Sequence, residues 1–427
     1  MKFTRIYQNG KVTWKKEPKK PLTSTQIREI KAMEIEEVKK LPTEEKYVWL
    51  HSEFYEYREE AKEYLEQPQI QILIDRSEFL RDSFRQIKSI TNIDLRQTLR
   101  VHFLDEVSQD EGGLIREWLS ILVNELFGSS LGLFVKVNTA EMGYNINMYS
   151  NNLDYFYFCG QILAKALFEK IPIKAYLAKF LLKELTGKKL NLDDLKYYDM
   201  ELWNSVEYMK SNKLEEDIGT FVITQKNPIT KEQEQIELKR GGARIVVNEK
   251  TKEEFMGLLC EYYLKKSIEK QFTALKAGFY SLIPNHIIAV LDFEELEFLL
   301  CGEQEISLSD WKAHTQYKGS YSSNHQVIEW FWKILSKFNN TELEKLLQFC
   351  TGTTRPPVEG FAGLSSNGSI YPFTINLKDY IDPQLSFPVA HTCFNRLDLP
   401  KYPNQEEMEK GIRTIIGNEL CYQFSLY

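Results

Sequence analysis

The sequence lacks several features that would settle its class at once. Nowhere do roughly 18 or more apolar residues run together, so no membrane-spanning helix is expected. The opening residues hold no apolar core of the secretory-leader type. The chain is therefore expected to work in the cytoplasm, or in the nucleus, with its thiols reduced. It has six cysteines, none in a Cys-x-x-Cys pair, which argues against a structural zinc site or a redox dithiol. No metal and no small cofactor is expected. An excess of basic charge is also missing: the net charge is −7, which disfavours a general nucleic-acid binder. Internal repeats and low-complexity tracts are absent.

What is present reads as a multidomain globular chain. The 427 residues suggest two to four domains at about 100–200 residues each. Residues 1–22 carry seven Lys or Arg against one acid, Glu17. This stretch is expected to be irregular and solvated, with a basic docking arm as the alternative. Thr23 and Gln26 have capping-box spacing for a first helix. A second should follow Pro42, packing through Tyr47, Trp49, Phe54, Tyr55 and Tyr57. From Phe79 to Cys301 the apolar residues recur mainly at three- and four-residue intervals, the mark of amphipathic helices. TFVITQ (220–225) and ARIVVNE (243–249) read as short strands, and 225–242 as a hairpin or exposed loop. Gly302 stands where a helix C-cap is expected, and a polar linker follows it. Beyond lie two helices, VIEWFWKILSKF and ELEKLLQFC, and then loops and strands to the Cys393 region.

The cysteines divide sharply. Cys159, Cys260, Cys301 and Cys350 sit in or at the end of apolar helical runs, where a free thiol behaves as a small buried hydrophobe. Cys421 gives no signal. Cys393 lies in SFPVAHTCFNRLDLPKYP, amid polar His391, Thr392 and Asn395, with no helical period. A loop cysteine is reachable by another macromolecule, and His391 and Arg396 would favour its reactive form. His391 is a poor general base for it, because a residue two positions away in an extended loop points to the other side. Hydrolysis needs such a base. Thiol-to-thioester exchange needs less help, since a thiolate is already nucleophilic and leaves well. Transfer is thus favoured over hydrolysis.

HTCFNRLDLP (391–400) resembles the catalytic loop of the HECT family of ubiquitin ligases. LRVHFLDEVSQDEGGLIREW (99–118), YFYFCGQILAKALF (155–168), KKSIEKQFTALKAGF (265–279) and ELEFLLCGEQEISLSDWKAHTQYKGSY (295–321) resemble successive parts of the same domain. LLQFCTGTTRPPVEGF (346–361) resembles its TGTSRxP segment, with Thr354 where serine is usual.

The resemblance spans about residues 75–427 and implies an α+β, bilobal HECT fold. The expected division is a basic and helical extension (1–74), a large, mainly helical N-lobe (75–301), a flexible hinge at Gly302, Glu303, Gln304 and Glu305, and a smaller α/β C-lobe (306–427). It implies ubiquitin-ligase activity, with a ubiquitin-conjugating enzyme, ubiquitin and a protein substrate as partners. Ubiquitin would ride as a thioester on Cys393. His391, Thr392, Phe394, Arg355 and Asp398 fall in the family's catalytic neighbourhood. Arg355 would position the ubiquitin tail or hold the loop by a salt bridge, and Asp398 would orient or deprotonate the incoming lysine. Phe424 occupies the place of a tail phenylalanine needed for lysine transfer, although CYQFSLY departs from the usual tail. The conjugating enzyme would dock on Leu202, Val206 and Met209, one helix face by spacing, with Phe255 and Leu259; the plainer alternative is that this stripe packs inward. A cysteine hydrolase of ubiquitin conjugates and a non-catalytic HECT-fold scaffold are the competing functions. With only about 75 residues upstream, substrates are expected to bind that extension or an adaptor, unless the chain is a fragment.

Overall fold

The computed structural model describes residues 2–417 apart from 9–10, 18–21, 63–68, 107–112, 129, 138–142, 228–230, 303–304, 358 and 367–368. The chain opens with an antiparallel hairpin, β1 (Lys2–Gln8) and β2 (Lys11–Glu17), where an irregular arm was expected. Apolar side chains explain the difference. Phe3 meets the ring of Phe298 edge-on at 5.5 Å, and Trp14 stacks on the same ring at 4.7 Å. Helix α1 (Ser24–Lys31) starts at the Thr23–Gln26 capping box, and α2 (Thr43–Lys62) follows Pro42. Strand β3 (Gln69–Ile74), helix α3 (Phe79–Ser89) and strand β4 (Thr98–Phe103) come next, β3 and β4 pairing in parallel. That parallel pair lies where a mainly helical pattern begins.

Helices α4 (Gly113–Phe127), α5 (Leu153–Glu169), α6 (Lys179–Leu185) and α7 (Met200–Ser211) follow. Strands β5 (Val222–Lys226) and β6 (Gln233–Glu237) form a hairpin that joins the strand read in TFVITQ to the segment read as a hairpin or exposed loop. Helices α8 (Lys252–Leu264), α9 (Glu269–Leu282) and α10 (Phe293–Cys301) complete the helical part. The last stretch alternates α11 (Leu308–Ala313), β7 (Gln316–Lys318), α12 (Gln326–Leu335), α13 (Asn340–Thr351), β8 (Thr374–Lys378), β9 (Val389–His391), β10 (Arg396–Pro400) and α14 (Gln405–Gly417). The fold is α+β. Among the described residues no helix is long and apolar enough to cross a membrane.

Two compact units divide the chain: residues 1–125, 162–175 and 298–427 form one, and residues 126–161 and 176–297 the other. In the first unit, residues 306–415 share a core of their own. Its strands lie in the order β7-β8-β10-β9, parallel except for the β10–β9 pair. Trp311, wholly buried, stacks on Phe361 at 4.8 Å and meets Phe373 edge-on at 5.3 Å. Leu397 and Leu399 alternate along β10 toward this core and are fully buried. Elsewhere in the same unit Lys165 is buried, and its ammonium donates to the Gln97 carbonyl and pairs with Glu169 at 2.6 Å. A buried cation tolerates that position only because it is paired and hydrogen-bonded.

In the second unit the first part of α5 crosses α9 with backbones in contact. A Cβ at Gly160 would stand 2.1 Å from the Leu275 carbonyl oxygen, and one at Gly278 would stand 1.9 Å from that of Tyr157. Neither obstacle is a side chain that can swing away. Alanine is a better helix former than glycine by about 1 kcal/mol, but forcing a methyl group into a filled site costs about 1–3 kcal/mol or more. The clash should win. With backbone atoms as the obstacle the clash lies at the upper end of that range, so Gly278→Ala is expected to lower the unfolding free energy by about 2 kcal/mol or more. Urea titration measures this, and an unchanged or raised midpoint would contradict the crossing described.

Candidate active site

The site is built on the β9–β10 edge of the sheet. The chain leaves β9 at His391, makes a short 3-10 turn over Thr392–Phe394, and reverses at Asn395 into β10. Reversal requires a left-handed residue, and Asn395 adopts φ 48° and ψ 41°. Asparagine accepts this conformation more readily than most residues. It is also fully buried and fully used. Its N–H donates to the Thr392 carbonyl at 3.2 Å, its carbonyl accepts from the Thr374 N–H at 3.0 Å, and its side-chain amide donates to the Tyr371 carbonyl at 2.8 Å. Cys393 is carried on the turn this residue closes and is half-buried. Beside it Phe394 is 39% exposed and meets the Tyr371 ring at 6.2 Å, so an apolar rim flanks the sulfur-bearing turn. Thr392 is buried.

The other described cysteines are sealed. Cys159, Cys260, Cys301 and Cys350 are all buried. Burial pushes the thiols of Cys159 and Cys350 far above the ordinary range and that of Cys260 up to about 11. Among the described cysteines only Cys393 is more than marginally exposed, as the loop sequence led one to expect. Cys421 lies outside the described residues.

Pairing register collects a polar cluster on the outer face of the same strands. Asn376 is opposite Asp398, and His391 is opposite Arg396. Arg396 and Asp398 are two apart on one strand and so share a face. Asp398 receives the His391 ring at 3.0 Å, the Asn376 amide at 3.2 Å and Arg396 Nη2 at 3.4 Å, and pairs with the Arg396 guanidinium as an ion pair. Partial burial raises its pKa, but His391, Asn376 and Arg396 together outweigh that and hold the carboxyl below its usual range. It is thus a carboxylate near neutral pH. His391 Nε2 is directed at Asp398.

Arg355 is buried, and its guanidinium lies 3.4 Å from Glu344, which also takes Lys174 at 2.8 Å and the Asn340 amide at 3.1 Å. The salt-bridge alternative describes what this side chain does here. Gly302 adopts φ +67°, its N–H capping α10 at the Phe298 carbonyl, and a Cβ there would stand 3.1 Å from the Pro356 carbonyl oxygen. Only glycine meets both demands. Glu305 is exposed, whereas Glu303, Gln304 and Phe424 lie outside the described residues.

The docking stripe expected on α7 requires correction. Leu202, Val206 and Met209 do share a face, but Val206 is fully buried and Met209 nearly so. Leu259 of α8 is buried as well, and Phe255 packs edge-on against Phe221 at 5.4 Å. Glu201, Asn204, Ser205 and Tyr208 take the solvent side of α7, which turns the apolar stripe inward. Leu202 and Phe255 alone of the five stay partly exposed. The exposed apolar side chains nearby are Tyr208 at 65% and Ile218 at 50%, and no periodic signal marks either.

Sequence reasoning also missed Arg116 of α4. Its guanidinium, buried, donates at 2.9 Å both to the Thr351 carbonyl and to Asn395 Oδ1. Next to it, burial raises Glu117 to about 7 despite its pairing with Arg76.

The depressed acidity of Asp398 gives a pH window. Unfolded, its pKa is about 3.9; folded, it lies lower. Its contribution is therefore complete above about pH 4 and lost as pH falls through the folded value. Asp398→Asn should flatten the acid limb of the stability curve below about pH 4. Chemical unfolding at a series of pH values measures this, and parallel limbs for the two proteins would refute it.

Comparison with known proteins gives the same family as the sequence motifs. The family model described as HECT-domain (ubiquitin-transferase) matches residues 120–426. The human (Homo sapiens) E3 ubiquitin-protein ligase NEDD4 is 36% identical over 350 residues, covering 80% of this chain and 26% of that protein. The Drosophila melanogaster E3 ubiquitin-protein ligase Nedd-4 is 37% identical, covering 82% of this chain and 35% of that one. The human (Homo sapiens) E3 ubiquitin-protein ligase HECW1 is 35% identical over 84% of this chain and 22% of its own length. The chain thus spans a minor part of the curated relatives it matches. With a cysteine held on the β9–β10 turn and family motifs along most of its length, the chain belongs to the HECT-domain family.

Proposed function

We propose that this chain is a HECT-type ubiquitin-protein ligase that accepts ubiquitin on Cys393 and passes it to a lysine of a substrate or of ubiquitin. One observation carries the reading: among the described cysteines, Cys393 is half-exposed on a turn while the others are buried in cores. In the first step the Cys393 thiolate attacks the carbonyl carbon of the thioester on a conjugating enzyme. A new C–S bond forms, the old one breaks, and the carrier's thiolate departs. Two thioesters are exchanged, so the step is close to balanced. In the second step a neutral lysine amine attacks the same carbon. The C–N bond forms, the C–S bond to Cys393 breaks, and the amine's surplus proton passes to the departing sulfur or to solvent. Asp398, held as a carboxylate and backed by His391, is suited to orient the amine.

The same reading takes residues 75–301 as the N-lobe and 306–427 as the C-lobe, turning about Gly302. One sulfur must meet a carrier thioester and later an amine, each within roughly 3–3.5 Å, and a single rigid arrangement serves only one of them. Conjugating-enzyme docking is proposed for α7 and α8, through the edges that Leu202 and Phe255 leave exposed. A hydrolase is disfavoured because His391, two positions from Cys393 along the chain, is poorly placed to serve as its general base.

Incubation with activating enzyme, conjugating enzyme, ubiquitin and ATP should give a ubiquitin adduct that thiols cleave. Cys393→Ala should abolish it, and Cys393→Ser should replace it by an ester that thiols do not cleave. Gel analysis with and without reductant reads all three. An adduct that survives Cys393→Ala, or shortening of preformed chains, would overturn the proposal.

A further inference from the structure

One face of α4 is fitted to the turn that carries Cys393. Gly113, Arg116, Glu117 and Ser120 stand at i, i+3, i+4 and i+7 and so line one side of the helix. Every one of these positions meets the end of α13 or the cysteine turn. A Cβ at Gly113 would stand 2.7 Å from Thr392 Oγ1 and 3.1 Å from Cys393 Sγ. Arg116 bridges the Thr351 carbonyl and Asn395 Oδ1 at 2.9 Å each. A Cβ at Gly352, which ends α13 at φ +76°, would lie 3.4 Å from the Gly113 carbonyl, 3.5 Å from Arg116 Cβ and 3.9 Å from the Glu117 nitrogen. Gln348 donates to Ser120 Oγ at 3.3 Å.

Resting on the reading of Cys393 as the acyl carrier, we propose that Arg116 is a positioning residue for the second step. It docks the Cys393 turn on the first turns of α4, in the arrangement from which ubiquitin passes to lysine and not the one in which it is received. Two observations point this way. Arg116 grips Asn395, the residue whose left-handed backbone sets the shape of the turn, so the contact governs where the sulfur stands. The sulfur is close against the Gly113 backbone, and reception requires a second sulfur borne on a whole folded domain to reach it. A lysine side chain is slim enough to approach a sulfur flanked in this way. Undocking returns the guanidinium and both acceptors to water, so neither half is left with a buried unmet donor or acceptor. The contact is therefore able to open and close within each cycle.

Single-turnover kinetics separate the steps. Conjugating enzyme preloaded with labelled ubiquitin is mixed with the chain, and formation of the Cys393 thioester is timed. Decay of that thioester onto added free lysine is then timed separately. Arg116→Ala should form the thioester at least as fast as the unmodified chain yet discharge it roughly tenfold more slowly, the worth of a charge-assisted hydrogen bond. Gly113→Ala leaves Arg116 intact and strengthens the helix, but its methyl group obstructs docking, so it should show the same split. It carries the test alone if Arg116→Ala fails to fold. Because both act on one docked arrangement, the double variant should be slower than either single one by much less than the product of the two effects. Arg116→Lys, which keeps the charge but carries its nitrogen on a shorter side chain than the one that brings Arg116 Nη1 to both acceptors, should fall between. Equal slowing of both steps, or unchanged discharge in Gly113→Ala, would overturn the proposal while leaving Cys393 as carrier. Absence of any thioester on the unmodified chain would remove the carrier reading and this inference with it.

Discussion

Asn395, through its backbone and its side-chain amide together, is the joint on which the active region depends. It is fully buried, it closes the β9–β10 turn in a left-handed conformation, and its hydrogen-bonding groups reach Thr392, Thr374, Tyr371 and Arg116. Each bond ties the cysteine-bearing turn to a different neighbour: to itself, to β8, to the loop before β8, and to α4. A residue without an amide would leave donors or acceptors unmet in a buried place, at about 1–3 kcal/mol for each. The turn is therefore held from below by its own sheet and from the side by a helix far away in sequence.

Around that joint the site separates its tasks in space. The inner face of β10 buries Leu397 and Leu399 in the core, while the outer face presents Arg396 and Asp398 to His391 and Asn376. Strand alternation alone accomplishes this, since neighbouring residues point to opposite sides. The hydrophobic core thus fixes the strand, and the strand fixes a carboxylate cluster next to the reactive turn. Arg355 and Glu344 hold the segment after α13 in a comparable way, by a buried ion pair that works as a brace.

Much of this was legible beforehand where the signal is local. The capping box at Thr23, the glycine ending α10 and the unusual surroundings of Cys393 are short-range features, and each is found where the sequence puts it. The HECT motifs were legible for the same reason. Two failures had other causes. The surplus of lysine and arginine in the first residues masked an alternating pattern around Asn9-Gly10, a dipeptide that commonly joins paired strands. The stripe on α7 was correctly assigned to one face, but spacing tells which residues lie together and not what covers them. Arg116 was invisible for a deeper reason: its partner Asn395 lies 279 positions away, and no periodic pattern encodes a contact of that range.

The N-terminal hairpin is tied to the end of α10. Phe3 meets the ring of Phe298 edge-on and Trp14 stacks on it, and Phe298 lies one helical turn before Gly302, the residue at which α10 ends. Residues nearly 300 positions apart in sequence thus share one aromatic cluster immediately before the glycine.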